Sequence, residues 1–109
     1  MRANAEVIRA FGAGHLVQWK YKSSSQLEWN SYIDGGPMLG ATHHEATKEE
    51  IEWRVHPKRR HTLSLDKDLV EAFAEGKDLE WKSSSQDWSI YKGGIRLTSP
   101  DFGAQWKVH

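Results

Sequence analysis

The chain has 109 residues, with 15 Lys plus Arg and 15 Asp plus Glu, so its formal net charge is zero when the histidines are neutral. This balance disfavours duplex nucleic-acid binding, because such proteins usually carry a basic excess, and only residues 58–61 form a basic run. Without cysteine there is no disulfide or thiolate chemistry, and no apolar run approaches the ~20 residues of a membrane helix.

Two stretches of the chain repeat one pattern. Residues 17–29 read VQWKYKSSSQLEW and residues 79–88 read LEWKSSSQDW. Ala-Phe-x-x-Gly precedes both, and Trp-Arg/Lys-Val-His follows both. Matched blocks in the same order predict a duplicated unit. We place the first unit at residues 3–57, a basic linker or short strand at 58–65, and the second unit at 66–109. Units of this size are marginal alone, so we expect them to pack into one compact domain or on a second chain.

The first predicted element is a helix over residues 5–13. Asn4 is an N-cap residue, Glu6 suits the positive end of the helix dipole, and Gly14 is a terminator. The apolar stripe consists of Val7, Ile8 and Phe11. The second unit repeats this logic, with Asp66 as the cap and Gly76 as the end.

Alternating apolar residues then predict strands. In the first unit a strand through Val17, Trp19 and Tyr21 pairs, across a polar turn, with one through Leu27, Trp29 and Ile33. A break at residues 34–37 and a long loop lead to a third strand over 51–55. The second unit predicts strands at 79–81, 88–90, 95–97 and 104–108, and residues 62–65 are a candidate for one more. The fold class is therefore α+β, a tandem αβββ repeat with a pseudo-two-fold axis.

The tryptophans and the polar residues of these strands fall on opposite faces. Five of the six indoles, Trp29 with Leu27 among them, share a face with aliphatic residues, which favours a core between sheet and helix. Trp29 and Trp88 lie nearest the serine-rich turns and are expected to be partly exposed. Such rings can stack on a planar ligand. The polar face is either a solvated surface or a pair of binding surfaces for an anion. The candidate ligand-binding residues are Gln18, Lys20, Trp29, Arg54, His56, Lys82, Trp88 and Lys107.

No constellation of side chains predicts catalysis. The serines at 23–25 and 83–85 lack the G-x-S-x-G context of a nucleophile, and no glycine-rich phosphate motif is present. His43, His44 and Glu45 are adjacent, without the H-x-x-x-H spacing of a helical metal site. We therefore expect a binding or interaction module, with no catalytic residues, metal or cofactor.

The order of the motifs resembles a family of small bacteriophage-encoded accessory proteins. In that family a helix ends in glycine, a strand reads roughly I-Q-Y/W-R/K, a tryptophan follows a polar turn, and a closing strand reads Y-R-I-K-P. The matching positions are Gly14, Val17-Gln18-Trp19-Lys20, Trp29 and Trp53-Arg54-Val55-His56-Pro57. The second unit departs from the pattern, with Glu80 in place of Gln18.

Phage accessory proteins of this size include non-enzymatic sponges that sequester nucleotide signals of bacterial defence systems. The resemblance thus implies a protein of the infected host's cytoplasm that binds a cyclic nucleotide or cyclic ADP-ribose type of signal, with a homo-oligomer as one arrangement. It implies no membrane partner, and no signal-peptide pattern is visible. The alternatives are a protein-interaction module that inhibits a host protein, and a weak nucleic-acid binder.

Overall fold

The computed structural model describes residues 1–23, 25, 28–83, 86–93, 97 and 104–109. Over these residues the secondary structure is α+β, with two helices and two three-stranded antiparallel sheets. The elements are α1 (Ala5–Gly12), β1 (His15–Tyr21), β2 (Asn30–Ser31), a 3-10 turn (Tyr32–Asp34), β3 (Ile51–Arg60), α2 (Lys67–Ala74), β4 (Leu79–Lys82), β5 (Ser89–Ile90) and β6 (Gln105–Val108). The predicted class is confirmed, and the arrangement is consistent with a two-fold αβββ repeat.

The two helices form where the apolar spacing predicts them, but their N-termini are held differently. Asp66 caps α2, because its Oδ1 accepts from the backbone N–H groups of Asp68 at 3.0 Å and Leu69 at 3.3 Å. Asn4 occupies the N-cap of α1 in the left-handed conformation, with φ of 58°, and makes no side-chain cap. Its amide instead donates to the carbonyl of Gly40 at 2.9 Å, which ties the helix to the loop after the 3-10 turn.

Both sheets have the same strand order. In the first sheet β1 lies between β2 and β3, and Trp19 pairs with Trp53. In the second sheet β4 lies between β5 and β6, and Trp81 pairs with Trp106. All four indoles are half-buried and pack against the hydrophobic core, as the alternation predicts.

β3 is longer than the predicted third strand. It continues to Arg60, so the first three residues of the expected linker at 58–65 belong to this strand. Val17 pairs with Val55 and His15 with Arg60, so β3 bulges between these two pairs. Residues 58–60 of the basic run are therefore the end of an edge strand.

Other expectations differ from the structure. Ile33 lies in the 3-10 turn and not in a strand, because the chain leaves the sheet after β2 and buries Tyr32. Residues 62–65 form no strand, although Leu63 and Leu65 pack against the core. Leu97 is buried outside any strand. The expectations for Leu27, Ile95 and Arg96 fall outside the described residues.

One cluster of buried hydrophobic residues spans the segments predicted as the two units. It contains buried residues of both, among them Ile8, Phe11, Val17, Tyr32, Leu39, Val70, Phe73, Leu79, Tyr91 and Leu97. The helices also meet through an ion pair, in which the Glu71 carboxylate accepts from Arg9 Nη2 at 2.8 Å and from Arg9 Nε at 3.0 Å.

The segment that precedes each helix crosses to the helix of the other unit. Arg2 donates through Nε to the carbonyl of Phe73 at 2.8 Å, and its guanidinium lies 4.1 Å from the centre of the Phe73 ring. His61 correspondingly donates through Nε2 to the carbonyl of Phe11 at 2.7 Å. Its imidazole packs on the Phe11 ring, with 4.5 Å between the ring centres. Phe11 and Phe73 hold matching places in the two Ala-Phe-x-x-Gly blocks, so the two crossings are alike.

Candidate functional site

The outer face of the first sheet carries an indole in contact with two cations. Lys20 Nζ lies 4.7 Å and Arg54 Cζ 4.5 Å from the centre of the Trp29 ring. Arg54 also donates through Nε to Gln18 Oε1 at 2.8 Å. We call these four residues the Trp29 cluster. Each cation–π contact is worth about 0.5–1 kcal/mol at an exposed site.

The second sheet carries a corresponding group, the Trp88 cluster. Lys82 Nζ lies 5.2 Å and Lys107 Nζ 4.3 Å from the centre of the Trp88 ring. Glu80, which pairs with Lys107 in the sheet, completes the cluster. The structure thus brings seven of the eight predicted ligand-binding residues together in two groups.

The position of Trp29 corrects the prediction that it shares the core face with Leu27. Its ring instead lies over cations that alternate with the core-facing Trp19 and Trp53. The reason is the register of β2, in which Asn30 pairs with Trp19 and Ser31 with Gln18. The residue before them, Trp29, therefore falls opposite Lys20 on the polar face. Trp29 and Trp88 are both half-buried, which agrees with the expected partial exposure.

His56 is the predicted site residue that the structure does not join to a cluster. Its Nδ1 accepts from the backbone N–H groups of Lys58 at 3.1 Å and Arg59 at 2.9 Å, across the bulge of β3. The ring therefore closes the bulge, and no contact among the described residues links it to Trp29.

The two clusters differ in how their cations are neutralised. Glu80 forms an ion pair with Lys107 at 3.4 Å. It forms a second one with His109 at 3.2 Å when that ring is protonated. Gln18 occupies the corresponding place in the first sheet and carries no charge. Within the described ranges, neither Lys20 nor Arg54 has a carboxylate at ion-pair distance.

A cavity of about 460 Å³ adjoins the Trp29 cluster. Two indoles line it, those of Trp19 and Trp29, and the remaining lining consists of Asn30, Ser31, Asp34, Gly35 and Gly36. Its walls therefore combine two aromatic surfaces with a carboxylate, a hydroxyl and an amide. We call it the Trp19–Trp29 cavity.

The Trp19 indole has a buried donor. Trp19 Nε1 is buried and has no hydrogen-bond partner in the described part of the chain. Gly36 packs directly on this ring, since a Cβ built there would lie 2.7 Å from Nε1. Buried polar groups are seldom left without a partner, so this N–H requires an explanation. Trp106 Nε1, in the second sheet, is also buried and without a described partner.

A larger concavity of about 710 Å³ lies where the first unit's long loop meets Lys92 and Gly93. His43, His44, Glu45 and Lys48 are on its rim. The described residues contain no group of three side chains suited to hold a metal ion. No helix among them is both long enough and apolar enough to cross a membrane.

Sequence patterns missed three of these features. The sequence did not predict that Asp34 lines the cavity, because the Asp-Gly-Gly-Pro stretch is typical of a simple break in structure. The pairing of Glu80 with Lys107 and the approach of Gly36 to Trp19 depend on strand register and on the path of a loop. Only the substitution of Glu80 for Gln18 within the repeat signalled a difference.

Comparison of the chain with known protein families, with curated proteins and with solved structures finds no match.

Proposed function

We propose that this protein is a non-enzymatic bacteriophage accessory protein that binds and sequesters a small nucleotide immune signal in the cytoplasm of the infected host. The observation that carries the proposal is the Trp29 cluster, an indole with two adjoining cations beside a cavity lined by a second indole. A nucleotide offers the complementary surfaces, a planar base that stacks on aromatic rings and phosphates that bind guanidinium and ammonium groups.

A duplicated origin of the chain is part of this proposal. The shared strand order, the Trp19–Trp53 and Trp81–Trp106 pairs and the reciprocal Phe contacts support a pseudo-two-fold arrangement of the units. A single unit carries one indole in contact with cations, so duplication of the unit would place one such indole on each sheet.

The role as a sponge is supported by the chemistry of the lining. Stacking and anion contacts bind a nucleotide without bond cleavage. A protein of this kind acts by mass action, so it has to be abundant relative to the signal and bind it in the micromolar range or tighter.

A protein-interaction module is the second candidate. Val55 on β3 and Val108 on β6 are 37% and 40% exposed, and both strands are sheet edges. An exposed edge strand with an apolar side chain can accept a strand from another protein. The basic residues and Pro57 at the end of β3 disfavour such pairing there.

Calorimetry with a panel of cyclic dinucleotides, cyclic ADP-ribose and ADP-ribose tests the proposed function. We expect saturable binding of at least one member, weakened at least about tenfold in the Lys20→Ala/Arg54→Ala double variant, because a phosphate then loses two charged partners. The absence of heat from every member at high-micromolar ligand would reject nucleotide sequestration. Recovery of a stoichiometric host protein from bacterial lysate, in that case, would favour the interaction module.

A further inference from the structure

We propose that the two units are unequal and that only the first binds ligand, one molecule per chain, a nucleotide with a free ribose 2′,3′-diol. The base lies in the Trp19–Trp29 cavity, the diol meets Asp34 and a phosphate meets Arg54. This inference rests on the proposed function and assigns the site and the ligand class within it.

The cavity suits the base and its sugar in size and lining. Its volume of about 460 Å³ lies within the range of small-ligand sites, about 300–1,000 Å³. Trp29 belongs both to this cavity and to the cationic cluster, so one ring adjoins the base site and the phosphate site. Asn30 and Ser31 supply donors and acceptors for the edge of a base.

Asp34 determines which nucleotide fits. Its carboxylate lines the cavity, and a carboxylate accepts hydrogen bonds from vicinal ribose hydroxyls, as acidic residues do in dinucleotide-binding proteins. It would repel a phosphate at the same place. A 3′,5′-linked cyclic dinucleotide has its 3′ oxygen esterified and cannot offer the diol, whereas ADP-ribose and cyclic ADP-ribose can.

Arg54 is the phosphate partner that the structure leaves available. Its Nε donates to Gln18, and its terminal Nη groups make no hydrogen bond or ion pair to the described part of the chain. Glu52 is opposite Lys20 in the sheet register, yet the two form no ion pair among the described residues. The guanidinium can therefore bind a phosphate with two parallel hydrogen bonds.

The second unit lacks both parts of this site. Counting from the matched tryptophans, Ile90 stands where the first unit has Ser31, and Gly93 stands where it has Asp34. Glu80, whose side chain is only 17% exposed, already holds Lys107 and places a carboxylate where a phosphate would have to bind. The Trp88 cluster is thus a stabilising contact of the sheet and not a second ligand site.

Calorimetry with ADP-ribose as the probe tests the inference. We expect one site per chain, and a loss of affinity of at least about tenfold in Asp34→Asn, because the amide carries no charge and offers one acceptor oxygen to the two hydroxyls where the carboxylate offers two. Asp87→Asn, the same carboxylate-to-amide change at the exposed residue before Trp88, should leave the affinity within about twofold. Gln18→Glu should also weaken binding at least about tenfold, because it places a carboxylate beside Arg54 as Glu80 does beside Lys107.

A paired comparison of Trp29→Leu and Trp88→Leu locates the site. Trp29→Leu should abolish measurable binding and Trp88→Leu should preserve it, with circular dichroism to confirm that both variants fold. Two sites per chain, equal losses in these variants, or tighter binding of cyclic di-AMP than of ADP-ribose would overturn the inference while the proposed function stood. Binding of no nucleotide at all would overturn both. The exposed, isosteric Asp34→Asn variant keeps the test decisive if a tryptophan variant fails to fold.

Discussion

The hydroxyl oxygens of Tyr32 and Tyr91 lie 2.5 Å apart in the buried core, one from each unit. Each hydroxyl also accepts a backbone N–H from the other unit, Tyr91 from Leu39 at 3.0 Å and Tyr32 from Leu97 at 2.7 Å. The two tyrosines follow the matched tryptophans at the same interval, so equivalent residues meet each other where the units join. This reciprocal network makes the packing of the units specific and not only apolar.

Removing either hydroxyl should destabilise the whole domain. Tyr32→Phe leaves the Leu97 N–H buried without a partner and Tyr91→Phe does the same for Leu39, so we expect a loss of about 1–3 kcal/mol for each. The double variant should lose less than the sum, because both changes break one network. Urea unfolding measures these values. Tyr21→Phe is the matched control, since its half-buried ring has no described hydroxyl partner, and it should change stability by less than about 0.5 kcal/mol.

Alkaline pH should lower the free energy of unfolding through ionisation of the Tyr91 hydroxyl. Burial raises its pKa to about 12, against about 10 in the unfolded chain. The folded state therefore holds the proton of the Tyr91 hydroxyl more tightly than the unfolded chain does. The contribution of this hydroxyl to the free energy of unfolding is complete below about pH 10, and it is lost as pH rises towards 12, by at most about 1.4 kcal/mol per pH unit. The difference in urea stability between wild type and Tyr91→Phe, followed from about pH 9 to 11, isolates this effect from other titrating groups. A difference independent of pH over that range would contradict it.

The ion pair between the helices should obey charge complementarity. Hydrogen bonds from Arg9 lower the pKa of Glu71, so the pair stabilises the fold above the usual glutamate pKa, and this contribution is lost as pH falls through the lowered value. Arg9→Glu and Glu71→Arg should each lower the melting temperature, because each places like charges across the helix contact. The Arg9→Glu/Glu71→Arg exchange should recover most of the loss. If the exchange is no better than the single changes, packing and not charge governs this contact.

Two adjacent glycines should respond differently to alanine. Gly36 has φ of 139° and a Cβ there would lie 2.7 Å from the Trp19 ring, whereas Gly35 has φ of 106° and a Cβ would meet nothing within 4 Å. Gly35→Ala should therefore cost about 1 kcal/mol from backbone strain alone. Gly36→Ala adds overpacking of about 1–3 kcal/mol. Thermal unfolding with tryptophan fluorescence checks both, and equal costs would show that the indole moves aside freely.

The sequence alone determined the elements whose signals are local. A stripe at helical spacing before Gly14 and Gly76, and period-two alternation around Trp19 and Trp81, placed both helices and the central strands, because these patterns depend only on which face of one segment is apolar. The matched blocks also predicted that cations would recur on one face of both sheets.

Only the tertiary structure decided how those residues are used. The Trp29 ring lies on the cationic face because β1 and β2 pair with Asn30 opposite Trp19, and Glu80 neutralises Lys107 because β4 and β6 pair in that register. The Trp19–Trp29 cavity depends on the path of the loop through Asp34 and Gly36. Each of these features joins residues distant in the chain, and their contacts are fixed by strand pairing and loop closure, for which a single segment carries no periodic signal.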